Sequence, residues 1–168
     1  MSTATLLHSL FKYKAWSNDQ LFAELAKVDA VAQQEARHNA TRLLNHIYVV
    51  DQIFAAHLSG AVQSLTATNT TETPTLEVLR DGAAMLDAWY VEYTTDLSPE
   101  QLAENIAFTF TDGDQGLMTR EEMLTHVSLH GSYHRGAAGR IMAQAGTTPP
   151  RDLYTRFLHQ SEPARRTA

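Results

Sequence analysis

The spacing of the apolar residues constrains the fold most, because they recur every three or four positions through four long segments. This spacing places them on one face of an α-helix. The segments run from about Thr3 to Val28, Thr41 to Ser59, Pro74 to Asp96 and Thr119 to Ala145. Four such helices predict an all-α, up-and-down four-helix bundle, because each apolar stripe must be buried against its neighbours.

Local signals mark the ends of these helices. Gly60 and Gly146 are natural stops, since glycine readily adopts the conformation that ends a helix. Pro74 can open the third helix, and Thr119 with Glu122 forms a capping box before the last one. The polar residues 63–73 predict a long crossover loop between the second and third helices.

One stretch departs from the helical pattern. Residues 105–111 read NIAFTFT, which is typical of a strand, and the turn sequence DGDQG follows at 112–116. We therefore expect a small hairpin-like excursion near residues 105–118. The chain length of 168 residues favours one bundle domain over residues 1–160, ending in a short helix near 152–159, with a polar tail at 161–168.

Composition excludes several classes of function. The chain has no cysteine, so disulfides, thiolate metal sites and a cysteine nucleophile are excluded. Its net charge of −6 argues against nucleic acid as a partner, since nucleic-acid binding relies on basic surfaces. No apolar run approaches the roughly 20 residues that span a bilayer, and the first residues do not resemble a signal peptide. We therefore expect a cytoplasmic protein without a membrane partner.

The chain has eight histidines, and several fall on inward faces of predicted helices. His126, His130 and His134 follow one another at four-residue spacing, which keeps them on one face of the last helix. His46 and His57 face inward on the second helix. Histidines at positions i and i+4 suit a metal ion, and a third from another helix would complete a site. The alternative is that they are hydrogen-bonded core residues, which is commoner for a single inward histidine.

Geometry leaves open which pair on the last helix would bind a metal. His126 and His134 lie about 12 Å apart along the helix axis, too far to share one ion. Either His126 with His130 or His130 with His134 can therefore supply the pair. Neither pair has the glutamate of the HExxH zinc-protease motif.

Four motifs in order resemble the DinB/YfiT-like family of metalloenzymes. The segment 130–136, HGSYHRG, is similar to its HGxxHRG signature, and 43–48, LLNHIY, to its second-helix histidine motif. Residues 13–18 resemble its first-helix W-x-N pattern, and 146–153 its G-x-x-P-x-x-D ending. The resemblance covers residues 5–158.

The resemblance implies a four-helix bundle, usually a homodimer, with one divalent metal ion held by His46, His130 and His134. Zn or Ni is the expected metal. His126 precedes the ligand pair of the motif and is expected to lie beside the site. Characterised relatives include bacillithiol transferases and mycothiol-dependent isomerases, which use low-molecular-weight thiols.

We therefore expect a metal-dependent enzyme that activates a low-molecular-weight thiol or water for reaction with a small-molecule substrate. The alternatives are a metal-dependent hydrolase, a non-catalytic metal-binding stress-response protein, and a dimerisation module whose histidines only fill the core. Tyr133, Arg135 and Tyr48 are candidate catalytic residues because they flank the histidines in sequence. For each of them packing or a structural ion pair is the alternative role.

Overall fold

The computed structural model describes residues 2–166, which form helices and one two-stranded hairpin. The elements in chain order are α1 Thr3–Leu25, α2 Gln34–Ser59, α3 Leu76–Tyr93, α4 Pro99–Leu102, β1 Asn105–Thr109, β2 Gln115–Thr119, α5 Arg120–Gln144 and α6 Tyr154–Ser161, followed by a 3-10 turn at Pro163–Arg166. The predicted all-α fold with a long crossover and a small hairpin is confirmed. No helix in this described part of the chain is long and apolar enough to cross a membrane.

Side-chain caps fix where the long helices begin. The Thr119 hydroxyl accepts a hydrogen bond from the Glu122 backbone N–H, and the Glu122 carboxylate accepts one from the Thr119 N–H at 2.7 Å. This is the predicted capping box of α5. Helix α3 begins at Leu76 rather than at Pro74, because the Thr75 hydroxyl caps it by accepting from the Val78 N–H.

Helix α2 begins earlier than the apolar spacing indicates, at Gln34 rather than Thr41. Its first turns are largely exposed to solvent, so they carry no apolar stripe that a periodicity argument could detect. Arg37 extends from these turns and donates hydrogen bonds to the carbonyls of Ala26 and Val28, at 3.0 and 2.7 Å. This side chain covers the end of α1, where carbonyl groups lack helical partners.

Helices α2 and α3, which the long crossover loop joins, run in the same direction. The hydroxyl of Tyr90 donates to the Asp51 carbonyl at 2.7 Å, and that of Tyr93 to the Leu58 carbonyl at 2.9 Å. Contacts thus advance together along the two helices, which run parallel. The ion pairs Lys14–Asp87 and Asp19–Arg80 show that α1 runs antiparallel to α3. Helix α5 runs antiparallel to α2, because Arg120 donates to the Leu58 carbonyl and His134 packs on His46. The four helices therefore point up, down, down and up instead of alternating strictly.

A layer of polar side chains divides the core into two apolar clusters. One cluster gathers around Leu21, Leu25, Ile47 and Leu79, and the other contains Phe11, Phe54, Tyr90, Met123 and Val127, among others. Buried charged or polar residues form this layer: Lys14 and Asn18 on α1, Asp51 on α2 next to Val50 of the second cluster, Asp87 on α3 and Arg135 on α5.

Lys14 is the centre of this layer. Its Nζ lies 2.6 Å from Asp51 and 2.5 Å from Asp87, and its side chain is 2% exposed. Gly131 on α5 lies beside it, since a Cβ there would be 3.4 Å from the Lys14 Cε, an ordinary contact distance, and 3.1 Å from the guanidinium of Arg135. One ammonium group thereby links α1 to both α2 and α3.

Replacement of Lys14 by alanine should destabilise the protein strongly. It would leave two buried carboxylates without their cation, which costs about 3–5 kcal/mol in the free energy of unfolding. Lys12, two residues away on the same helix, is exposed, so Lys12→Ala should change stability by less than about 0.5 kcal/mol. Urea denaturation of the metal-free variants measures both values. Equal effects of the two substitutions would contradict the role given to Lys14.

Candidate metal centre

Three histidines converge where α2 faces α5. His46 comes from α2, and His130 and His134 lie one helical turn apart on α5. One ring nitrogen from each lies within 4.8 Å of the others, and all three residues are half-buried. The ring centroids are 4.5–4.9 Å apart, as the three pairwise contacts show. This cluster, the histidine triad, could hold a metal ion.

The crossover loop orients His46. Its Nδ1 lies 2.6 Å from the Thr68 carbonyl oxygen, which can only accept a hydrogen bond, so Nδ1 carries the proton. The Nε2 lone pair of His46 is therefore directed away from the loop, toward α5. A carbonyl that fixes the ring in this way is the usual support of a metal-binding histidine.

The opposing nitrogen belongs to His130. Its Nε2 is 3.1 Å from the His46 Nε2. Two ligand nitrogens on one tetrahedral zinc ion lie about 3.3 Å apart, given Zn–N bonds of about 2.05 Å. The ligand atoms of all three imidazoles lie within 4.8 Å of one another. Such a group could hold a divalent transition metal, because nitrogen ligands favour Zn, Ni, Cu or Co over Mg or Ca.

The environment of the triad keeps His130 neutral. Burial, followed by the neighbouring histidines and Lys14, lowers its pKa to about 3. Burial and His46 also lower the pKa of His134. Neutral imidazoles are the forms that bind metals, so this part of the site needs no proton release at neutral pH. The Nδ1 of His130 is buried without a hydrogen-bond partner.

Comparison with known proteins places the chain in a family. The family model of the DinB family matches residues 1–166. The chain belongs to the DinB family. It is also similar to Protein DinB of Bacillus subtilis (strain 168), with 28% identity over 170 residues that cover 92% of this chain and 96% of that protein. The family resemblance of the sequence motifs is thus confirmed.

Of the two other inward histidines of this DinB-family chain, His126 lies beside the triad and His57 lies further along α2. The His126 ring packs on Phe54 with centroids 4.7 Å apart and on His130 at 5.5 Å, but it is not part of the group that could share one ion. His57 packs on Phe108 at 5.3 Å, and its Nε2 is buried without a hydrogen-bond partner. Burial lowers the pKa of both side chains.

The three candidate catalytic residues occupy different environments. Tyr133 is 76% exposed, and its ring lies at the edge of the triad, 5.0 Å from that of His134. Tyr48 packs against the core, and its hydroxyl lies beside Gly82 on α3, where a Cβ would meet it at 2.8 Å. Of the two tyrosines, Tyr133 is therefore the one placed beside the histidines.

Arg135 is 3% exposed and its guanidinium already has protein partners. Its Nε donates to Asp152 at 2.7 Å, and its other nitrogens contact Asn18 and Ser132 at 3.4 and 3.1 Å. Asp152 also accepts hydrogen bonds from Tyr13 and Ser17. This network matches the structural alternative for Arg135, because it joins α5 to α1 and to the loop before α6.

Sequence reasoning missed the ion pairs of Lys14. The available signal is a charged residue among apolar neighbours on a helix face: Asp51 follows Val50 and precedes Phe54, and Asp87 lies between Ala83 and Tyr90, all buried. Such charges are buried only when paired. A lysine and two aspartates at buried positions therefore predict that each side chain has a partner of opposite charge. Their spacing in the sequence does not identify which residues pair.

The metal-free protein should lose stability on acidification because of His130. Its folded pKa of about 3 lies below the value of about 6.5 expected when unfolded, so the unfolded chain takes up the proton first. The stabilisation is complete above pH 6.5 and is lost as pH falls toward 3. We expect His130→Gln to flatten this decline in the free energy of unfolding, measured by urea titrations between pH 4 and 7.

His38→Gln is the control, since His38 is exposed on the same bundle and should leave the slope unchanged. Burial raises the pKa of Asp51 to about 6, so this carboxyl makes the folded protein more stable as the pH falls below 6. This effect opposes that of His130 and is the same in all variants. An unaltered pH slope in His130→Gln would refute the assignment of a neutral, buried imidazole.

Proposed function

We propose that this protein is a metal-dependent enzyme in which His46, His130 and His134 hold one divalent ion, Zn or Ni. The observation that carries the proposal is the convergence of three imidazole nitrogens from two helices within 4.8 Å of one another. The Thr68 carbonyl orients one of them, and burial keeps the pKa of another low. The alternative is a hydrogen-bonded core role, in which the Nε2 atoms of His130 and His46, 3.1 Å apart, bond to each other.

The chemistry follows from the number and kind of ligands. An ion bound by three neutral imidazoles keeps an open position, where it lowers the pKa of a bound thiol or water. The chain has no cysteine, so a thiol must come from a cosubstrate. Transfer of a low-molecular-weight thiol to an electrophilic small molecule is the leading reaction, and hydrolysis by water is the second.

The chain's own residues divide the remaining tasks. Thr68 holds His46 in the tautomer whose Nε2 faces α5. Tyr133 presents a phenol at the exposed edge of the triad, where it is the candidate proton donor. Arg135 is a positioning residue for His134. It directly follows His134 on α5, and the ion pair of its guanidinium with Asp152 holds this part of the helix in place.

Elemental analysis of the purified protein tests the ligand set. We expect about one Zn or Ni per chain, lost in His46→Ala and in His134→Ala because two imidazoles bind an ion weakly. His38→Ala, an exposed histidine on α2, is the matched control and should retain the metal. Full metal content in both triad variants would refute the proposal.

The role of His126 distinguishes the two possible pairs on α5. His126→Gln should keep most of the metal, because its ring packs on Phe54 outside the triad, whereas His130→Gln should lose it. The reverse ranking in a metal titration would assign the pair to His126 and His130.

Turnover separates an enzyme from a metal-binding protein. Metal-loaded and metal-stripped protein are compared with low-molecular-weight thiols plus an electrophile, and with ester substrates for hydrolysis. Activity that needs the metal and fails in His130→Gln supports catalysis, whereas metal binding without turnover favours the non-catalytic alternative. The homodimer and the cytoplasmic location stay predictions.

A further inference from the structure

A cavity of about 380 Å³ opens beside the histidine triad, between α2, α5 and the hairpin of residues 105–119. His46 and His130 line one end of it, and His57 lies eleven residues further along α2, about 16 Å at the helical rise. Its apolar walls are formed by Val50, Ile53, Phe54, Phe108, Phe110 and Met118. The size is within the range of pockets that hold small molecules.

The polarity of the walls limits what can bind. Within the described part of the chain, no aspartate, glutamate, lysine or arginine lines this cavity. The polar groups in the lining are threonines and imidazoles, and burial lowers the pKa of His57, which favours its neutral form. A charged ligand would lose its hydration here without gaining a counter-ion, which is costly.

The hairpin segment contributes aromatic side chains to the wall of this cavity. Phe108 of β1 pairs with Gly116 of β2, and a Cβ at Gly116 would overlap the Phe108 ring. The glycine therefore lets the ring lie across the hairpin, where it is 6% exposed and packs against Phe54 and Phe110 at 6.3 and 4.7 Å. Three aromatic rings thus make one wall, although the hairpin is otherwise largely exposed.

We propose that this cavity binds the uncharged, apolar or aromatic body of the electrophilic substrate and directs its reactive end toward the triad. The inference rests on the proposed function, because it names the substrate class of the same site. The continuous apolar lining from His46 to His57 suits an elongated molecule. Aromatic rings favour an aromatic ligand, since ring pairs contribute beyond their buried area.

The neutral fluorophore N-phenyl-1-naphthylamine tests the cavity in metal-free protein, where no ion can take part. We expect saturable binding that Phe110→Asp weakens by about tenfold or more, because the carboxylate must be desolvated at the cavity wall. Phe110 is 48% exposed, so the variant should fold. Thermal unfolding of each variant checks this.

Leu117→Asp is the matched control. Leu117 lies on the same hairpin and is 66% exposed, but it does not line the cavity. Leu117→Asp should leave the dissociation constant of the fluorophore unchanged within about twofold, which is a difference in binding free energy well below 1 kcal/mol. Equal weakening by the two substitutions, or absence of saturable binding, would overturn the inference.

Displacement of the fluorophore tests the preference for neutral ligands. Methyl 2-naphthoate should displace it at concentrations about tenfold or more below those of 2-naphthoate, since the two differ mainly in the charged carboxylate. Equal or stronger displacement by the carboxylate would contradict the proposed substrate class.

The two proposals fail separately. Protein that holds no metal but shows this pattern of fluorophore binding would refute the metal-dependent function and keep the apolar cavity. Protein that holds one metal per chain but does not bind the fluorophore would keep the metal centre and refute the substrate class.

Discussion

The rest of the structure depends on the buried ammonium of Lys14 between the carboxylates of Asp51 and Asp87. Unpaired, each charge would be costly in the core, so only a register that brings the three together is stable. This constraint aligns α1 with α2 and α3. Asn18 extends it, since its amide donates to Asp87 at 2.7 Å and its oxygen accepts from Arg135 on α5 at 3.4 Å.

The histidine triad lies at the same level of the bundle as this charged layer. Lys14 passes beside Gly131, the neighbour of His130, and Arg135 follows His134 directly. The layer thus positions α5 against the other helices, while the imidazoles project toward α2. Arg135 and the histidines project from different faces of α5, and within the described residues the Nε2 of His130 lies 3.1 Å from the Nε2 of His46.

The hairpin and the crossover loop complete the site from outside the bundle. Thr68 of the loop orients His46, and Phe108 of the hairpin forms a wall of the cavity next to the triad. Neither segment contributes much to the apolar clusters of the core, apart from the buried Phe108 and its neighbours. The bundle therefore supplies the proposed ligands, and the two connections determine the tautomer of one ligand and the polarity of the adjoining space.

The sequence by itself determined the elements and the candidate ligands, because helical periodicity, capping boxes and four-residue histidine spacing are local properties. Only the tertiary structure decided the parallel course of α2 and α3 and the early start of α2 at Gln34. Helix geometry left the histidine pair on α5 open, the family resemblance implied His130 with His134, and the structure groups these two with His46. It also decided the partners of Lys14. These features depend on which helices face each other and in which register. Pairing and register are determined by the burial of apolar stripes and the pairing of charges, both of which involve residues far apart in the chain.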